Sequence, residues 1–152
     1  MLAIGLIIGG PLQSWLLSRL FLRHKPVMIL SSLVTVCLTG LLAFATVNLP
    51  LPALYIICLL FGMFTAASVV IGFSATKELF PPRIAGTAIG LINLFPFAGG
   101  AIFQPLLGSV LEHSGRTGEA FTLHGYQLAF AILLASALTA LLSSLFIKET
   151  KP

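Results

Sequence analysis

The chain has 152 residues, 58% of them hydrophobic and only 8% charged, with a formal net charge of +4. Eight basic and four acidic side chains cannot cover a soluble globule, since soluble domains are about 25% charged. With a mean hydropathy of +1.10, this excludes a soluble domain, a disordered chain and a disulfide scaffold. The basic residues stand in short clusters between long uncharged runs, a pattern of membrane topology. They do not form a basic face for nucleic acid, so no nucleic-acid partner is expected. Cys37 and Cys58 both lie inside apolar runs and read as free, buried thiols.

A helix needs about 20 apolar residues to cross the hydrocarbon core. The first uncharged run, Met1 to Ser18, is marginally short, and it has no charged segment before it to mark a signal peptide. It reads as the middle of a span, so the chain is expected to be the end of something longer. A charged patch follows from Arg19 to Lys25. The next run, Val27 to Thr76, is long enough for two helices. Pro50 and Pro52 divide it, because proline cannot continue a helix, and spans are expected near 27–47 and 53–76.

A second charged loop carries Lys77, Glu78, Pro81, Pro82 and Arg83. The fourth span, near 84–111, contains Pro96, Gly99, Gly100 and Pro105, which predict a kinked or broken helix. A polar loop with Ser114-Gly115-Arg116 leads to a fifth span near 125–147. No strands are expected. The prediction is therefore an all-α membrane protein with about five transmembrane helices, forming one transmembrane portion over 1–152. Arg19, Arg23, Lys25, Lys77, Arg83, Lys148 and Lys151 fall on one side, and Arg116 alone falls on the other. By the positive-inside rule the N-terminus is outside and the C-terminus cytoplasmic, in an inner or plasma membrane.

The stretch Gly10-Pro11-Leu12-Gln13-Ser14-Trp15-Leu16-Leu17-Ser18-Arg19, followed by Arg23-His24-Lys25-Pro26, joins two helices through a short loop. It resembles the loop signature of the major facilitator superfamily, roughly G-P-L-x-G-x-L-S-D-R-x-x-R-R-K-P. Gly10, Pro11, Leu12, Leu16 and Arg19 match in register; Arg23, Lys25 and Pro26 match with one extra loop residue. Ser14 replaces a glycine, Leu17 a serine, Ser18 the aspartate and His24 an arginine. A serine offers a hydrogen bond but no charge to a helix N-terminus, so this resembles the family's weaker second copy, after the eighth helix. Glu78-Leu79-Phe80-Pro81-Pro82, the run from Gly86 to Asn93, and Gly99 to Gly108 resemble the family's eleventh-helix region. Lys148-Glu149-Thr150 resembles its usual ending.

The resemblance implies helices eight to twelve of a twelve-helix bundle. It implies transport of a small polar, organic solute by alternating access, with Ser18, Arg19, Arg23 and Lys25 as a gating loop. The implied partners are the lipid bilayer, the solute, and the missing N-terminal half or a partner subunit. The alternative is a small multi-pass membrane protein, or a non-transporting remnant, that acts by packing with partner helices.

Polar residues inside spans are costly and so informative. Asn93 and Gln104 are eleven residues apart, about three helical turns, so Gly90, Asn93, Phe97 and Gln104 share a stripe. That stripe reads as substrate-lining or as a site of interhelical hydrogen bonds. Thr65 and Ser68 read as substrate-lining or as hydroxyls satisfying their own helix. Gly86 and Gly90, like Gly5 and Gly9, lie four apart and allow close helix packing; Gly99 and Gly100 are expected to help helices pack or slide. His113 and His124 read as interfacial. No cofactor, metal site or enzymatic constellation is expected. No Asp, Glu, Lys or Arg lies deep in a span, so any titrating residue of a proton-driven cycle is expected outside this sequence.

Overall fold

The computed structural model describes residues 1–16, 19, 24–46, 49–118 and 120–147. Ser18 and Arg23 of the expected gating loop lie outside the described residues, as do Lys148 and Lys151. The order is α1 (Leu2–Leu16), α2 (His24–Ala45), α3 (Leu51–Leu79), α4 (Pro82–His113), β1 (Arg116–Thr117), β2 (Ala120–Phe121) and α5 (Leu123–Phe146). Helices are the form in which such apolar runs satisfy every backbone group within lipid.

The prolines set the boundaries. Pro50 caps α3 and Pro81 caps α4, each with proline in the first helical turn. There the missing N–H would have had no partner anyway. Phe80 precedes Pro81 and is extended (φ −114°, ψ 143°), as the proline ring requires, so α3 ends at Leu79.

Among the described residues four helices are long and apolar enough to span, with 22, 29, 32 and 24 residues. The helix α1 has 15 residues, about 22 Å of rise against a hydrocarbon core of about 30 Å. The fourth span, expected to be kinked or broken, is not broken: α4 is one continuous 32-residue helix with Pro96 and Pro105 inside it. Each proline removes one backbone bond, to the carbonyl four residues earlier, and the flanking turns hold the helix together.

Two short strands were not expected. Arg116 and Thr117 pair antiparallel with Phe121 and Ala120. Gly118, in the turn between the strands, adopts a positive φ of 68°, and Gly115, just past the end of α4, one of 84°; glycine supplies both without strain, in the tight turn and at the helix C-terminus alike. The Arg116 guanidinium lies 4.7 Å from the Phe121 ring centre, and Phe121 meets Tyr126 edge to face. The Thr122 hydroxyl donates to Ser114 O at 2.9 Å and accepts from Gly125 N at 3.2 Å. This one residue both caps α5 and ties it to the end of α4.

Packing is uneven. The helix α1 lies chiefly on α3 and α2 on α5, with α3 bridging to α2; α4 touches α3 and α5 more lightly. Gly5 and Gly9 of α1 and Gly62 of α3 make the tightest crossing. A methyl on Gly5 would strike Leu59 O, one on Gly9 Met63 O, and one on Gly62 Leu2 O. Gln13 and Ser31 are buried, and the Ser31 hydroxyl donates to Gln13 Oε1 at 3.0 Å, joining α1 to α2. Both thiols are free, but Cys37 is exposed and Cys58 half-buried. In a membrane chain an apolar run marks the span, not its inward face.

Candidate functional site

Thr65 and Ser68, three residues apart on α3, face Ser32 and Thr35, three apart on α2. With Ala137 and Ala140 of α5 they line a cavity of about 180 Å³. Spacing of three places each hydroxyl pair on one helix face, and the two alanines leave room between helices. Thr65 donates to Phe61 O, Ser68 to Phe64 O at 3.3 Å, and Thr35 to Ser31 O at 2.8 Å. Their protons are engaged, so these three oxygens present lone pairs as acceptors. Ser32 and Thr35 had not been singled out in the sequence. Their signal was the same hydroxyl spacing, on a helix whose partner face the sequence does not reveal.

Asn93 and Gln104 do not join this cavity. Both are exposed on α4, and neither carboxamide meets a hydrogen-bond partner among the described residues. Gly90 and Phe97 on the same face are exposed too, Phe97 at 70%. On the continuous α4 Asn93 and Gln104 stand three turns apart, about 16 Å of helical rise. Gly86, Gly90, Gly99 and Gly100 belong to the same open helix. A methyl at any of them would meet nothing within 4 Å, so none of the described helices packs on these glycines. Ala85 is the buried residue of α4.

At the opposite ends of α2 and α3 from the hairpin, His24 Nε2 lies 3.6 Å from Glu78 Oε1. The nitrogen is buried and makes no hydrogen bond among the described residues, so the imidazole faces the carboxylate across this gap. Beside it an open hollow of about 620 Å³ runs from Lys77 past Pro81 and Gly86 to Ile89. Arg19 is exposed and Lys25 partly so. The His24–Glu78 pairing links the first patch of charge to the second, a link that chain order alone conceals.

The whole stretch, residues 1–152, matches the family model of the Major Facilitator Superfamily. The chain belongs to that superfamily. No curated protein and no solved structure matches it. As a major facilitator chain it is a multi-pass membrane protein in contact with the bilayer, and its family is one of secondary transporters rather than enzymes. Its basic loop at Arg19 and Lys25 and the His24–Glu78 contact then lie at one end of a transporter bundle. The hydroxyl cavity and the carboxamide stripe lie within its spans.

Proposed function

We propose that this chain is the C-terminal portion, helices eight to twelve, of a transporter that moves a small polar, organic solute by alternating access. The observation that carries the reading is the pair of exposed carboxamides on α4. A polar group facing lipid without a partner costs several kcal/mol, on the order of 4–8 against hydrocarbon. Asn93 and Gln104 therefore belong against a water-filled path or a polar neighbour. The open glycines Gly86, Gly90, Gly99 and Gly100 on the same helix suit a second bundle that approaches and rocks. Thr65 and Ser68 add acceptors deeper in the bundle.

In this reading Ser18, Arg19, Arg23 and Lys25 hold the cytoplasmic side closed in one conformation, and the His24–Glu78 contact braces the adjoining helix ends. The N-terminus lies outside and the C-terminus in the cytoplasm of a cell membrane. The test is uptake by the full-length transporter carrying Asn93→Ala. Apparent solute affinity is expected to fall several-fold with membrane abundance unchanged, and unaltered kinetics would remove Asn93 from the path.

The second reading, a small membrane protein that acts by packing with partner helices, rests on the same open face of α4. The mass of the native polypeptide separates the two. Two six-helix halves require roughly 40–50 kDa, whereas the chain alone has 16.1 kDa.

A further inference from the structure

Near the middle of α2, α3 and α5, four hydroxyls meet around the cavity of about 180 Å³. Ser32 and Thr35 stand on α2, Thr65 and Ser68 on α3, and Ala137 and Ala140 of α5 line the remaining side. The four hydroxyl-bearing residues are half-buried. Thr35, Thr65 and Ser68 each direct their proton to a carbonyl one turn back in their own helix. Ser32 differs. Its hydroxyl meets no hydrogen-bond partner among the described residues, so its proton is free to be donated into the cavity.

This pattern selects the chemistry of an occupant. Three oxygens that offer lone pairs, beside one hydroxyl that can give or take a proton, fit a molecule rich in O–H donors. The space holds about six waters at about 30 Å³ each, the bulk of a molecule of roughly three or four carbons with a hydroxyl on each. Charge argues against the other polar classes. Carboxylates and phosphates only accept, and would set lone pairs against lone pairs. A cation would bring a charge that nothing here neutralises: none of the six lining residues is ionisable, and Glu78 and Glu112 lie in the last turns of α3 and α4. An unpaired charge deep in a membrane is costly. The two alanine methyls give the carbon-bound hydrogens an apolar wall. The cavity thus has an oxygen side and a methyl side, as an open-chain polyol has.

We propose that this cavity binds a small neutral polyol, which donates hydroxyl protons to Thr35, Thr65 and Ser68 and accepts one from Ser32. The inference names the class of the solute, and it rests on the transport reading for the solute's passage but not for its binding.

The test measures binding without transport. It uses the full-length protein in lipid nanodiscs, tritiated erythritol and unlabelled competitors. Glycerol is expected to displace the label, and glycerate and ethanolamine at equal concentration are not. Thr65→Val and Ser68→Ala each remove one acceptor and are expected to weaken erythritol binding several-fold, as loss of one hydrogen bond does. Thr139→Val, on α5 outside the cavity with its hydroxyl on Ala135 O, is expected to leave binding unchanged. Absence of erythritol binding, equal binding in the two cavity variants and the unaltered protein, or displacement by glycerate as effective as by glycerol would overturn the proposal. Should Thr65→Val not fold, Ser32→Ala asks the same question without touching a helix hydrogen bond, and binding is again expected to fall several-fold. Failure of the transport reading looks different. Erythritol binding that depends on Ser32 and Thr65, in a protein that carries no erythritol into liposomes, would support the site and count against passage. Uptake of another solute by a protein that binds no polyol would sink the site and leave transport intact.

Discussion

Glycine does two different things in this chain, and the difference lies in what stands opposite. Gly62 has Leu2 O where a side chain would begin, whereas Gly90 has open space. Gly62→Val is therefore expected to lower stability by about 1–3 kcal/mol, the usual cost of overpacking, read as a drop in the unfolding midpoint in detergent. Gly90→Ala is expected to leave that midpoint unchanged. Ser31→Ala removes the donor to buried Gln13 and is expected to cost about 0.6 kcal/mol, the mean worth of an interhelical hydrogen bond in membranes. A loss several times larger would show that Gln13 is left without any substitute partner. The sequence made Gly5 and Gly9 visible as a packing pair because spacing alone sets their face. It left Gln13 silent, since nothing in a motif says which neighbour shields it.

Helix limits were the most legible feature at the scale of elements, because proline and charge act locally. Pro50 and Pro81 end up as caps as their chemistry demands. Local preference met the membrane in α4: Pro96 and Pro105 were expected to kink or break it, and it is not broken, because the surrounding turns have no water to bond to and remain helical. The short hairpin escaped notice because strands of two residues carry no periodicity. Thr122, just after that hairpin, joins α5 to the end of α4 and caps it. Thr122→Ala is expected to cost about 1 kcal/mol, as loss of a cap does, with amide exchange rising first in the opening turn of α5. Exchange confined to the far end of the helix would contradict that role.

For the whole molecule, the charge asymmetry and the packing make separate statements. Reporter fusions after the α3–α4 loop and in the hairpin are expected to fall on opposite sides of the membrane, with the Lys77–Arg83 side cytoplasmic. The reverse result would overturn the proposed orientation. Composition, run length and basic clusters determined on their own that this is a helical multi-pass membrane chain, and the Gly10–Pro26 stretch pointed to its superfamily. These follow from solvation, which each residue undergoes whatever its neighbours are. The tertiary structure alone decided that Thr65 and Ser68 share a cavity with Ser32 and Thr35, and that Asn93 and Gln104 remain on an open face. Such juxtapositions depend on which helix faces meet. In a chain that is apolar on every side, hydropathy cannot distinguish the face that meets a neighbour from the face that meets lipid.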